Sequence, residues 1–468
     1  TDKAIGYGIP EEDAIQVDGN DLFAVYHAVR KSVESLRERP RPIILEFKTF
    51  RVRGHEEASG TKYYPEGLIE TWGKVDPVDR LRAHLQASNV LDEATEAAMA
   101  QRIKEKIQAG LKAAAAEPQI VASTAEELTD RFAAGTPQGS LEVPEAQGRE
   151  LRFIDAITEG LRTSMEHHTN LVLMGQDIGS YGGVFKVTDG FVDAFGEERV
   201  RNTPLCESAI VGAGLGLSIA GKKAMVEMQF SDFVTCGFNQ IVNNLAKIHW
   251  RWGQAADVVV RMPTGGGVGA GPFHSQSTEA WFFHVPGLKI AYPSTPGDAK
   301  GLLRMAIDDP NPVLFFEHKL LYRSLTGPVP EEDYLLDFGK GRVVRDGSEA
   351  TLVTYGLGVH WATTLMASHP EWDIEIIDLR TLLPWDEDLV MASVRKTGKA
   401  LVLHEDTMTG GIGAEISSRI HECCFQDLDA AVARTASLDT AFPFAEDLER
   451  NFMANARLEE DLRQLLQA

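Results

Sequence analysis

Short, largely apolar runs separated by helical segments recur along this chain, and that alternation is what most restricts its fold. Residues 43–47 (IILEF), 171–174 (LVLM) and 258–260 (VVV) are too short for helices, and they lack the apolar–polar alternation of a strand with one wet face. They read as strands buried on both sides, the pattern of parallel sheets covered by helices. Runs at 226–230, 350–355, 374–377 and 400–404 repeat the pattern, the last three each followed by a helical or glycine-rich segment. The expected fold class is α/β, with doubly wound parallel sheets.

Taken in order, residues 15–17 are apolar and close on Asp18-Gly19-Asn20, a turn and helix-cap sequence. Leu22, Val25, Tyr26, Val29, Val33 and Leu36 then follow at helical spacing until Pro40 and Pro42. With 43–47 this makes a strand–helix–strand unit, which cannot cover both faces of a parallel sheet, so further strands are expected upstream of residue 1. Asp76-Pro77, a cap-like residue with proline at the first helical position, predicts a helical, alanine-rich stretch to about residue 116. Thr124 and Glu127 carry the capping-box spacing of a short helix. Gly135, Pro137, Gly139, Pro144 and Gly148 mark an exposed linker. The expected division is an α/β part with a helical extension over 1–118, a linker over 119–148, a second α/β domain over 149–330 and a third over 335–468.

With 46 basic against 69 acidic side chains the net charge is −23, which argues against nucleic acid or an anionic membrane and allows a basic protein partner. No apolar run approaches the ~18 residues of a membrane-spanning helix. Four cysteines, with Cys423 and Cys424 adjacent, make neither a disulfide framework nor a C-x-x-C metal site, as expected of a reducing compartment, cytoplasmic in a bacterium or the mitochondrial matrix in a eukaryote.

Two stretches carry candidate chemistry. In residues 202–221 one carboxylate, Glu207, sits among Pro204, Leu205, Cys206, Ala209, Ile210 and Val211. Partial desolvation there would disfavour its charged form and suit it to proton transfer near neutrality, while a helix-start anion or an ion-pair partner fits the same pattern. Gly212, Gly214 and Gly216 miss the G-x-G-x-x-G spacing and fit a closely packed helix start. The second stretch, PTGGGVGAGPFHSQ at 263–276, has no Lys-Ser or Lys-Thr after its glycines and so is no P-loop; a flexible turn and a ligand loop ending at His274 both remain open.

The motifs NTPLCES with IVGAGLGL, EMQFSDF, FNQIVNNLAK, FHSQSTEAWFFHVPGLKI, NPVLFFEHKLLYR, IDLRTLLPWD and the glycine run at 409–413 resemble the β half of the thiamine diphosphate-dependent decarboxylase component of 2-oxoacid dehydrogenase complexes. That resemblance runs from about residue 151 to the C-terminus. IQVDGNDLFAVYHAV, ILEFKTFRVRGH and DPVDRLRAHL, between residue 4 and about 118, resemble the C-terminal part of the α half, so the chain looks like an α–β fusion. The PLCE, QFSDF and LPWD spellings are more similar to the branched-chain 2-oxoacid enzymes than to the pyruvate enzymes.

The resemblance implies a transketolase-like fold, with 149–330 as a pyrimidine-binding domain and 335–468 as a C-terminal domain. It implies an enzyme that decarboxylates a 2-oxoacid, 3-methyl-2-oxobutanoate first among candidates, using thiamine diphosphate and magnesium, and passes the acyl group to lipoyl groups of a dihydrolipoyl acyltransferase. Pyruvate or acetoin dehydrogenase is the alternative within this class, and a noncatalytic docking or scaffold subunit the alternative outside it. In the resemblance Glu207 falls on the glutamate that shuttles a proton at the cofactor's aminopyrimidine. Leu205, Gln229 and Phe233 fall on aminopyrimidine contacts, Phe233 standing where branched-chain relatives often carry Tyr. His274 falls on a histidine of acyl transfer to lipoamide, and His55 on one that contacts the diphosphate. Glu56 stands where the animal enzymes carry a phosphorylated serine, so that regulation is not expected here. The magnesium motif is expected upstream of residue 1. Ala306, Ile307, Asp309 and Asn311 fall on a monovalent-cation loop, which potassium would fill. The implied particle is at least a dimer of α–β units.

Overall fold

The computed structural model describes residues 1–56 and 58–468, which divide into two compact units, Thr1–Val121 and Ala122–Ala468. In the first, β1 (Ala14–Asp18) and β2 (Ile44–Lys48) pair in parallel around the Leu22–Glu38 helix. Asp18-Gly19-Asn20 is a turn, as expected: Asp18 accepts the Asn20 N–H at 3.0 Å. The cap itself is Asp21, which accepts from the N–H groups of Phe23 and Ala24. The helical stretch expected from Asp76-Pro77 to about residue 116 is formed by two helices, Pro77–Ala87 and Glu93–Ala116. Asn89 at φ 54° turns the chain between them, and Asp92 caps the second by accepting the Thr95 N–H.

In the second unit the short Thr124–Thr129 helix starts one residue earlier than its capping-box spacing suggested, with Ser123 as the cap. The linker over 135–148 is largely exposed, as expected, and it is also pinned. Gly139 and Ser140 bond to Asp337 and Leu335, and a Cβ at Gly139 would stand 2.7 Å from the Leu335 carbonyl. The strands follow as β3 (Glu150–Arg152), β4 (Leu171–Gly175), β5 (Val200–Asn202), β6 (Lys223–Glu227), β7 (Val258–Thr264), β8 (Lys289–Ala291), β9 (Val313–His318) and β10 (Thr326–Pro328). After them come β11 (Arg342–Arg345), β12 (Ala350–Thr354), β13 (Ile374–Asp378), β14 (Thr381–Leu383), β15 (Ala400–Thr407) and β16 (Ala433–Ser437).

One sheet has the order β14-β8-β9-β7-β6-β4-β5 and a second β11-β13-β12-β15-β16; each is parallel except for one antiparallel edge strand, β14 or β11. In these two sheets the apolar runs behave as their composition demands, whereas residues 43–47 of the first unit, expected to be buried on both sides, are half-buried over 43–46 and exposed at Phe47. Val172, Val226, Val258, Val260 and Leu314 enter one core, while Leu171, Leu173, Met225, Val259 and Val313 enter the other. Alternate residues therefore bury on opposite faces, the Glu207–Ile219 helix covering one and the Phe153–His167 and Pro296–Asp308 helices the other. The first core continues into Val353, Ile377 and Val402 of the second sheet, so the two sheets share one apolar interior.

The chain leaves β4 toward β5 on one side and leaves β6 toward β7 on the other. This reversal opens a crevice at the carboxyl ends of β4 and β6, where ligands of open α/β sheets bind.

Candidate functional site

Glu207 is the first residue of its helix, where its negative charge is favoured by the N-terminal dipole. The helix packs tightly against the sheet because a Cβ at Gly214 would lie 3.0 Å from Val226, while Gly216 has open space around it. Glu207 is half-buried, but its apolar sequence neighbours do not enclose it: Leu205 is 81% exposed, and Pro204 and Ala209 face outward. A helix distributes consecutive residues around its axis, so of that run only Ile210 and Val211 are buried in the core, with Cys206 packed at its edge.

The Gln176 amide, just beyond β4, donates to Glu207 Oε1 at 3.0 Å. The next residue, Asp177, holds a positive φ of 60° and accepts from Gln229 Nε2 at 2.9 Å. Gln229 is followed by Phe230, whose ring meets the His274 imidazole edge-on at 4.8 Å between centroids; Phe233 meets the same imidazole at 5.4 Å. Glu207, Gln229, Phe233 and His274 thus form one continuous row along the crevice. Gln176, Asp177 and Phe230 complete it and were not singled out in the sequence. For Gln176 and Asp177 the available signal was their place immediately after an apolar strand.

The glycine-rich stretch is neither a flexible turn nor a phosphate loop. Its successive N–H groups already hold carboxylates: Gly266 donates to Glu405 at 2.6 Å and Gly267 to Glu449 at 2.7 Å. Lys319 Nζ reaches the Gly265 carbonyl, and His318 pairs with the other oxygen of Glu405. Gly265 is required, since a Cβ there would lie 2.1 Å from the His318 ring. At the far end Asp232 accepts the backbone N–H and side-chain amide of Gln276. His274 is therefore delivered by a loop fixed at both ends. Burial pushes Lys319 down to about 8.

Behind this loop Glu279 is wholly buried and accepts from the Tyr355 hydroxyl at 2.7 Å. Burial, reinforced by the nearby Asp406 carboxylate, raises it to about 8, and burial raises Asp406 to about 6. A carboxyl whose folded value lies above its unfolded one supports the fold below the unfolded value, and that support is lost as pH rises through the folded one. Glu279→Gln is therefore expected to gain stability over the wild type as pH rises from about 6.5 to about 8, by more than about 1 kcal/mol at the upper end. Urea midpoints at the two pH values measure this, and a difference that does not grow with pH contradicts a protonated Glu279.

His55 lies in the first unit, exposed on the bend after β2, and Glu56 beside it is also exposed. Tyr64 shapes this segment by donating to the carbonyls of Arg51 and Arg53. Asp18 pairs with Arg80 at 2.8 Å, and Asn20 is held by Val75 and Thr49, so this turn is occupied by its own fold.

Three family profiles match in sequence order: "Dehydrogenase E1 component" over residues 1–123, "Transketolase, pyrimidine binding domain" over 149–324 and "Transketolase, C-terminal domain" over 339–457. The chain is 46% identical to the 2-oxoisovalerate dehydrogenase subunit beta of Bacillus subtilis (strain 168), covering 67% of this chain and 98% of that one. It is 45% identical to the mitochondrial 2-oxoisovalerate dehydrogenase subunit beta 2 of Arabidopsis thaliana (63% of this chain, 84% of that one). It is 41% identical to the pyruvate dehydrogenase E1 component subunit beta of Bacillus subtilis (strain 168) (64% and 93%). A solved structure described as "Split gene transketolase, inactive beta4 tetramer" shares the fold, with a TM-score of 0.53 and 20% identity over 68% of this chain and 98% of that one. The chain belongs to the family of thiamine diphosphate-dependent E1 components of 2-oxoacid dehydrogenases, with an E1 alpha-like part and the transketolase-type pyrimidine-binding and C-terminal domains on one polypeptide.

Proposed function

We propose that this chain decarboxylates a branched-chain 2-oxoacid, 3-methyl-2-oxobutanoate first, and passes the acyl group to lipoyl groups on a dihydrolipoyl acyltransferase. The observation that carries this reading is the row Glu207, Gln176, Asp177, Gln229, Phe230, His274 along the crevice. Thiamine diphosphate suits that row on a specific ground: Gln176 is buried, its Nε2 is spent on Glu207, and its Oε1 has no partner among the described residues. A buried amide oxygen beside a half-buried carboxylate makes two acceptors that a ring carrying N–H donors would satisfy. When bound, the cofactor supplies a carbon nucleophile for the 2-oxo carbon. Glu207 holds and moves the proton at the ring nitrogen, Gln176 orients it, and Leu205, Gln229 and Phe233 wall the ring. His55 would serve the diphosphate. We assign no magnesium ligand within the chain, because Asp18 is paired with Arg80, Asn20 is bonded to Val75 and Thr49, and no described cluster of three or more His, Cys, Asp or Glu is arranged for a metal.

His274, packed edge-on against the adjoining rings of Phe230 and Phe233, serves acyl transfer. His274→Ala is expected to leave 2-oxoacid-dependent reduction of an artificial electron acceptor within about tenfold while lowering lipoamide acylation by about 10²-fold or more. Equal losses in both assays would make the histidine structural.

The 41% identity to a pyruvate enzyme's beta subunit supports a second reading, with pyruvate as substrate. Comparing kcat/KM for 3-methyl-2-oxobutanoate and pyruvate, with thiamine diphosphate and magnesium present, decides between them. No turnover of either would favour a docking subunit.

A further inference from the structure

Residues 306–311 close the Pro296–Asp308 helix, where backbone carbonyls without helical partners call for positive charge. Two lysines already supply it. Lys223 Nζ lies 2.9 Å from the Ile307 carbonyl and 2.8 Å from Asp257 Oδ2. Lys289 Nζ is paired with Asp309 Oδ2, donates to Thr136 Oγ1 at 3.1 Å and lies 5.4 Å from the Phe132 ring.

The remaining polar atoms are also engaged. Asp309 Oδ1 accepts from the backbone and side-chain N–H groups of Asn311 at 2.9 and 2.8 Å. Asn311 Oδ1 accepts the Ala133 N–H at 2.7 Å, and Asn311 Nδ2 also lies 3.1 Å from the Ala133 carbonyl. Ala306, Ile307, Asp309 and Asn311 are all buried, and neither lysine side chain is more than 15% exposed. A metal ion placed among these oxygens would face two ammonium groups at short range and would have to displace both, leaving buried charges unpaired.

We infer that Lys223 and Lys289 are the resident cations of this loop. Residues 306, 307, 309 and 311 then form no monovalent-metal site in this chain, in contrast to the expectation from the resemblance. The lysines do a metal's structural work with charges that cannot dissociate, Lys289 tying the end of the helix to residues 132–136 and Lys223 tying it to Asp257.

Thermal unfolding of the full chain in potassium, sodium and choline chloride at matched ionic strength is expected to give one melting temperature. A saturable rise with potassium, absent with choline, would overturn the inference. Lys223→Ala exposes the Ile307 carbonyl and Asp257 carboxylate to a mobile cation, so its melting temperature is expected to fall by at least about 2 °C and to recover partly with potassium or ammonium, but not choline. A Lys223→Ala protein as stable as the wild type and indifferent to all three salts would also overturn it. If that variant does not fold, the wild-type salt series alone decides.

Discussion

Glu207→Gln is expected to lower 2-oxoacid decarboxylation by about 10²–10⁴-fold while leaving the fold intact. The carboxamide keeps an oxygen for the Gln176 amide, which Glu207 accepts at 3.0 Å, so the local hydrogen bond survives. What is lost is the capacity to take up and release a proton. The competing view, a carboxylate that only complements the helix dipole, predicts a different pair of numbers. A first-turn charge is worth roughly 0.3–1 kcal/mol of stability and nothing in rate, whereas a 10²-fold rate loss corresponds to about 2.7 kcal/mol of barrier. Steady-state rates with an artificial electron acceptor, read beside melting temperature, separate the two; an active Glu207→Gln enzyme would sink the proton-transfer role. Glu207→Asp is a useful companion, since it keeps the titrating group and moves it back by one methylene.

That the fold class could be read from sequence follows from burial on both faces. Where every residue of a strand is covered, composition alone marks it, as with Val258, Val259 and Val260. Boundaries failed where apolar character outlasts the strand. Residues 226–230 looked like one because Met228 is buried and Phe230 half-buried, but β6 ends at Glu227. The break before Glu93 had its signals in Asn89 and Asp92, yet the alanines beyond it share the helical pattern of the first segment. The pinned linker was not legible at all, because its partners at 335–337 lie nearly two hundred residues away. Of the site, Glu207 and His274 were singled out from their own stretches and Gln229 and Phe233 through the resemblance; contacts through Gln176, Asp177 and Phe230 link the four. Gln176 and Asp177 connect that row only because β4 and β6 are neighbours, a property of strand order that no local pattern encodes.

Arg261→Met should cost roughly 3–5 kcal/mol of stability, the largest structural effect anticipated in the molecule. Arg261 is 1% exposed, on β7. Its guanidinium makes two bonds of 2.6 Å to Glu317 of β9, pairs with Glu227 at the end of β6 and reaches the Tyr322 hydroxyl at 3.2 Å. Burial pushes Glu227 up, with Glu317 adding to it, and Arg261 offsets part of that rise. Without the arginine Glu227 would rise further, so the variant should be less destabilised at low pH than at neutral pH, the sign expected of a group whose folded value exceeds its unfolded one. The triple variant Arg261→Met, Glu227→Gln, Glu317→Gln is expected to regain much of the loss, because the harm lies in unpaired buried charge and not in the missing bridge. Denaturant midpoints of the three proteins at two pH values test this, and a single variant within about 1 kcal/mol of wild type would contradict it. The consequence for the site is direct. Gln229 and Phe230 leave the sheet two and three residues after Glu227, so the cluster that locks the end of β6 also sets where the walls of the crevice begin.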